Sequence, residues 1–238
     1  MKKCLLALVA IVFVVSSCSF QNIKGDGNVI SKSYTENGFK DIDVSSALEV
    51  HMTQGTAYSL KIEGEKNIVD LLNVKTKGDK LEIDIQDKIS FSPTRPIKVF
   101  ITSPAYRDIS GSGACSFYTV QKIISTGDIK VDLSGSCTAK LELDAKKIVV
   151  DASGATDIEL LGTATELDID ASGSTAIKAF GLITQITTLD MSGAGDAEVF
   201  ASKSLSVDLS GAATVKYKGN PSSLKQEISG AGSVSKVD

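Results

Sequence analysis

The chain of 238 residues contains no tryptophan, a single histidine, and aromatic side chains at only 5% of its positions. Sugar-binding surfaces lean on aromatic faces that combine apolar area with a wet edge, so a stacking platform for carbohydrate has little material here. The lone histidine, His51, alternates with Val50 and Met52, and a strand period of two turns it to solvent. Ser-His-Asp chemistry needs such a histidine beside an activated serine, and no motif marks one. Arginine is almost as scarce, with Arg95 and Arg107 the only two. β-Helix polysaccharide lyases set a basic residue beside carboxylates and a cation, but Arg107 adjoins Asp108 and reads more simply as a turn ion pair. With 29 acidic against 25 basic residues and a net charge of −4, the basic footprint of a nucleic-acid partner is missing. Proline-rich and highly charged low-complexity runs are missing too. The chain reads as a non-enzyme.

What is present begins with a charged N-terminus at Lys2 and Lys3, followed by an unbroken apolar stretch from Cys4 to Val15. Small residues follow in Val15-Ser16-Ser17-Cys18. This order is that of a secretory signal over residues 1–17, and the apolar stretch is shorter than the roughly 20 residues a spanning helix needs. Small residues directly before a cysteine fit the lipobox of bacterial lipoproteins, although Val15 stands where leucine is commoner. Cys18 would then be acylated and become the first residue, tying the protein to a membrane. The alternative is an ordinary signal peptide with an incidental cysteine. Ser19 is not the aspartate that retains such proteins in an inner membrane, which favours the outer membrane and leaves its face open. Residues 18–38 read as the lipidated cysteine and a tether.

The remainder is organised by a repeat. Ser-Gly followed by Ala or Ser recurs at Ser112, Ser134, Ser153, Ser172, Ser192, Ser210 and Ser229, at spacings of 22, 19, 19, 20, 18 and 19. Apolar residues occupy fixed offsets: Val131, Val150, Ile169, Leu189 and Val207 three before the serine, and Phe117, Ala139, Ile158, Ile177, Ala197, Val215 and Val234 five after it. The period within each segment is two, so these are strands with one buried face. Glycine at the second position supplies a corner. Short strands and a period near 19 predict a parallel β-helix over 105–238, with neighbouring coils about 4.8 Å apart. Residues 39–104 alternate as strands without that period, and read as a β-rich region that begins or caps the solenoid and is continuous with it.

Stacking tests itself on charge, because equivalent residues become neighbours. Six residues after each serine the chain reads Tyr118, Lys140, Glu159, Lys178, Glu198, Lys216 and Ser235. The sign alternates at every charged step, as in-register parallel stacking favours. A second column, Asp132, Asp151, Asp170, Asp190, Asp208 and Glu227, does the opposite. Its like charges are either solvated and screened or bind a cation such as Ca²⁺, for which Asp132, Asp151, Asp170, Asp190 and Asp208 are the candidate ligands. Cys115 and Cys137 hold the same place in successive coils, three after the serine. Stacking at strand spacing brings their Cα atoms inside the disulfide range, and an oxidising periplasm permits the bond. A stacked pair of free thiols is the alternative.

Phe39-Lys40-Asp41-Ile42, Val50-His51-Met52-Thr53-Gln54-Gly55, Ile101-Thr102-Ser103-Pro104 and Ile109-Ser110-Gly111-Ser112-Gly113, leading into the Ser-Gly-Ala units, resemble the putative auto-transporter adhesin, head GIN domain family, common in Bacteroidetes. The resemblance runs from Phe39 to the end of the chain and implies a right-handed β-helix on an exported protein, with no catalytic motif to carry over. The expectation is an envelope lipoprotein with a structural or adhesive role and a glycan or protein ligand. The alternative is a polysaccharide-binding or polysaccharide-degrading protein of the envelope.

Overall fold

The computed structural model describes residues 21–86 and 89–238, so the expected signal segment and Cys18 lie outside the described residues. Alternating sequence becomes strand almost throughout: β1 (Gln21–Lys24), β2 (Val29–Tyr34), β3 (Asp41–Ser45), β4 (Leu48–Gln54) and β5 (Ser59–Glu65) precede a single helical turn, α1 (Lys66–Val69). Then come β6 (Leu72–Lys77), β7 (Lys80–Ile85), β8 (Ile89–Ser92) and β9 (Ile97–Ser103). The second half holds β10 (Asp108–Gly113), β11 (Ser116–Thr119), β12 (Ile123–Ile124), β13 (Asp128–Gly135) and one uninterrupted extended run, β14 (Thr138–Gly193). It closes with β15 (Asp196–Phe200), β16 (Ser204–Gly211), β17 (Thr214–Lys218), β18 (Ser223–Gly230) and β19 (Ser233–Lys236). β1 and β8 pair with each other; all the others belong to one 17-stranded sheet that curls until it is nearly closed.

In the second half the pairing is parallel and keeps the register of the repeat. Ser112 lies opposite Ser134, Ser134 opposite Ser153, Ser192 opposite Ser210 and Ser210 opposite Ser229. The apolar columns form the core: Val131, Val150, Ile169, Leu189 and Val207 are all buried, as are Phe117, Ala139, Ile158, Ile177, Ala197 and Val215. Each large aliphatic side chain so buried is worth about 2 kcal/mol against exposure, which is why the period is visible in sequence at all. The corner glycines are fixed by a second constraint. Gly173 has φ +94°, and a Cβ there would lie 2.5 Å from the carbonyl oxygen of Gly154. Those carbonyls are not idle, since Gly173 O accepts from Ala194 N–H at 2.9 Å and Gly193 O from Ala212 N–H at 2.8 Å.

Residues 39–104 are less foreign to this pattern than their sequence suggests. β3 and β4 pair in parallel with β10 and β11, placing Ser45 opposite Ser112 and His51 opposite Tyr118. On their other sides β3 meets β7 and β4 meets β9, again in parallel. Beyond these the sheet changes character: β6 pairs antiparallel with β7, and β2 antiparallel with β5, which pairs antiparallel with β9. α1 presses Ile68 and Val69, both fully buried, into the end of the core. Residues 21–34, expected as part of a tether, are strands of the folded body: β1 pairs with β8 and β2 with β5. A polar stretch with few large apolar residues was paired here because the buried carboxylate of Glu65 holds it.

That carboxylate accepts from Gly27 N–H at 2.7 Å, from Thr94 N–H at 2.8 Å and from the Thr94 hydroxyl at 2.7 Å. The Thr94 hydroxyl first, then the backbone donors, hold its pKa below the usual glutamate value against the opposing effect of burial. Asn67 completes the clasp, donating to Lys24 O at 2.8 Å and accepting from Asp26 N–H at 3.2 Å.

Candidate functional site

One outward face is carried by β9, β4, β11 and the strands stacked after them. Its central column starts with Phe100, His51 and Tyr118 and continues through Lys140, Glu159, Lys178, Glu198, Lys216 and Ser235. The first three rings stack: His51 lies 5.1 Å from Phe100 with planes at 16°, and 5.5 Å from Tyr118 with planes at 23°. Lys61 Nζ sits 4.7 Å above the Phe100 ring, and His51 Nε2 is 2.7 Å from Glu49 Oε1. His51 is therefore outward, as alternation required, but it is one member of an aromatic strip rather than an isolated surface residue. The same frame could have located it, because Asp43-Val44-Ser45 matches Asp132-Leu133-Ser134 and His51 then falls six after the serine. The insertion between β4 and β10 hid the match.

Below the rings the charges follow the expected alternation, with one change of partner. Lys140 reaches Glu159 at 3.4 Å, whereas Lys178 turns diagonally to Asp157, at 3.1 and 3.2 Å from its two oxygens. Between Lys178, Glu198 and Lys216 the face is indented by a shallow groove of about 430 Å³, floored by Ile177 and Ala197 and edged by Asp196 and Thr214. Volumes of this order hold small ligands. The ion-paired side chains Lys140, Glu159, Lys178 and Asp157 stand in water, so each pair contributes little to stability. The alternation matters because it keeps the column from repelling itself.

The acidic column is met differently from the cation reading. Lys130 Nζ lies 3.0 Å from Asp132 and 2.8 Å from Asp151, so one ammonium group serves the first two rungs, and the hydrogen bonds it donates to Asp151 and then to Asp132 raise its pKa. Glu227 at the far end has Lys225 at 2.7 Å. Asp132, Asp151 and Asp170 edge a small dent of about 180 Å³ with Ser153 and Ser172. Among the described residues no three His, Cys, Asp or Glu side chains converge in a way that could hold a metal ion, and the rungs of Asp190 and Asp208 add none. Carboxylates spaced by a strand ladder point along parallel directions, whereas a Ca²⁺ cage needs six to eight oxygens converging on one point.

Cys115 and Cys137 are both buried and face each other, with Cα atoms 4.8 Å apart and the sulfurs in contact. Arg107 corrects the turn-pair reading: its guanidinium grips Asp41 with two nitrogens and reaches Asp79 at 3.5 Å, instead of pairing with the adjacent Asp108. It thereby pins β3 to the start of β10. Tyr106 supports the same junction, its buried hydroxyl 2.8 Å from Thr53 O and 3.1 Å from Ile101 O.

The sequence profile of the putative auto-transporter adhesin, head GIN domain family matches residues 38–221, from just before β3 to just past β17. The chain belongs to that family. Among solved structures it is similar to a putative adhesin from Bacteroides fragilis, at 26% identity and a TM-score of 0.86, over 90% of this chain and 100% of the other. A putative adhesin from Parabacteroides distasonis matches at 22% identity and a TM-score of 0.68, covering 91% of this chain and all of its own. A second protein of that organism, described as a putative lipid binding protein, matches at 22% identity and a TM-score of 0.65, covering 92% of this chain and 100% of its own. These last two establish likeness of fold alone. No curated protein sequence matches the chain.

Proposed function

We propose that this member of the family is a cell-envelope lipoprotein, anchored through Cys18 to the outer membrane, whose right-handed β-helical stack serves a non-catalytic adhesive or structural role. The observation that carries the reading is the outward column from Phe100 to Ser235, an unbroken face in which rings give way to alternating charge. A long, flat, charge-balanced surface suits contact with an extended partner, and its interior is filled by side chains. The name of the Bacteroides fragilis neighbour supports the same reading. A glycan or a protein of the envelope or of a host is the partner class, and the acidic net charge disfavours nucleic acid.

Protease treatment of intact cells tests it. An adhesin is cleaved from outside, whereas a protein fully protected until the outer membrane is breached is not a surface adhesin. Cys18→Ser should release the chain to a soluble fraction or stall its maturation; a variant that stays in the membrane with unchanged mass overturns the anchor. The runner-up, a polysaccharide-binding protein, draws support from the groove between Lys178, Glu198 and Lys216. Titration with envelope polysaccharides against a Lys178→Ala, Glu198→Ala variant separates the two.

A further inference from the structure

The two ends of the sheet are finished differently. At the β9 end, the antiparallel strands β2, β5 and β6 and the helical turn α1 cover what the parallel stack would leave bare. At the other end, among the described residues, β18 pairs only with β16, and β19 only with β17. Leu224 and Ile228 stand in the columns of Leu205 and Leu209, which are fully buried, yet they are 45% and 44% exposed.

The backbone at this edge has a definite polarity. Ser223 N–H donates to Lys203 O at 3.1 Å and Ala231 N–H to Gly211 O at 2.8 Å, so the odd-numbered residues of β18 turn their backbone groups toward β16. Alternation then leaves the N–H and C=O groups of Leu224, Gln226 and Ile228 on the open side. The sequence around Gln226 is self-complementary when read against itself in the opposite direction. Gln226 meets Gln226, Lys225 meets Glu227, Leu224 meets Ile228 and Ser223 meets Ser229. Lys225 and Glu227 share the outward face, as their 2.7 Å contact within one chain shows, while Leu224, Gln226 and Ile228 share the inward one.

We propose that β18 pairs antiparallel with β18 of a second copy of this chain, about a two-fold axis at Gln226. The pairing satisfies the open backbone groups, covers Leu224 with Ile228 on the core side, and sets Lys225 against Glu227 twice on the outer side. Opposite charges directly across an antiparallel pair are favourable, and like charges are not. An isologous contact of this kind closes on itself and gives a dimer. A head-to-tail filament would instead need a bare parallel edge at the β9 end, where the antiparallel strands stand. One consequence rests on the anchor proposed above: copies joined at their β18 ends hold their β1 and β2 strands away from the contact, which suits a bridge between two facing membranes.

Sedimentation velocity of the purified full chain over a concentration series tests the pairing without reference to localisation. A reversible monomer–dimer equilibrium is expected. Lys225→Glu, which places carboxylates opposite one another, should weaken it roughly tenfold or more. Glu227→Lys should do the same with ammonium groups. The double charge exchange should restore the dimer, and a mixture of the two single variants should associate although neither does alone. Melting curves equal to that of the parent, taken at a concentration where the parent is monomeric, exclude misfolding of the variants, since the exposed pair contributes little within one chain. A chain that is monomeric up to its solubility limit overturns the proposal. So does a dimer that ignores Lys225→Glu, or one that the double exchange fails to restore. Should cells prove protease-protected while the dimer forms as described, only the adhesive reading falls.

Discussion

The stack from β10 onward and the insertion between β4 and β10 belong to one sheet, but they are specified by opposite means. In the stack, each position is decided by the same position one repeat away: serine on serine, glycine on glycine, aliphatic on aliphatic. In the insertion, single side chains reach across long sequence distances. Glu65 holds Gly27 and Thr94, and Ser103 Oγ lies 2.9 Å from Phe39 O. The difference teaches where each part is tolerant. A repeat can lose a whole unit and keep its logic, yet cannot shift by one residue. The insertion has no unit to lose, and a single polar atom there has no substitute.

The largest effect should come from breaking that register. Deleting Ser153 to Ala171 joins Ala152 to Ser172 and preserves inward and outward parity, at the cost of stacking Lys140 on Lys178, a penalty of at most about 1 kcal/mol. Deleting Ser153 to Asp170 leaves an extra alanine and turns the following inward side chains to solvent. Chemical denaturation should find the 19-residue deletion folded and the 18-residue deletion markedly less stable; equal stability would mean that the period is not a structural unit.

The next effect lies within the first repeats of the stack. Cys115 and Cys137 stand 22 residues apart in sequence, and closing a loop of that length restricts the unfolded chain by roughly 3 kcal/mol. Mass spectrometry under alkylating conditions should find them linked, and reduction should lower the melting temperature. Two alkylated thiols and a melt indifferent to reductant would argue for free stacked cysteines.

Within the repeat, Gly173→Ala forces a side chain into a left-handed backbone and against the Gly154 carbonyl oxygen. We expect a loss of at least about 2 kcal/mol, measured by denaturant midpoint. Ser174→Ala, one residue further along, should change little, because Ser174 is exposed.

The smallest effect, and the one that best separates the regions, is acid sensitivity at Glu65. Its folded pKa lies below the unfolded value, so its contribution is complete above the ordinary glutamate range and is lost as pH falls through the folded pKa. Glu65→Gln should therefore be less stable than the parent at neutral pH and converge on it in acid. Hydrogen exchange should place the loss in residues 24–28 and around Thr94, with the repeat unchanged. A uniform loss over the whole chain would show that the clasp and the stack do not unfold separately.

Much of this was legible in the sequence, for one physical reason. A parallel stack buries the same position of every coil, so its period, its inward columns and the sign alternation of its charges are written as recurrence. Val131 predicts Val150, and Lys140 predicts a following Glu159. That Cys115 and Cys137 would meet followed from the same rule, and that His51 would face outward followed from the alternation within its own strand. What the sequence could not display is contact between residues with no common offset. The clasp of Glu65 on Gly27, the grip of Arg107 on Asp41 rather than Asp108, and the stacking of Phe100 on His51 all join segments whose separation follows no period. Lys130 serving two carboxylates at once depended on side-chain reach, which recurrence does not encode. Local pattern fixed which side chains face inward; only the folded chain decided which distant atoms would satisfy one another, because a buried polar group accepts whatever partner the geometry delivers.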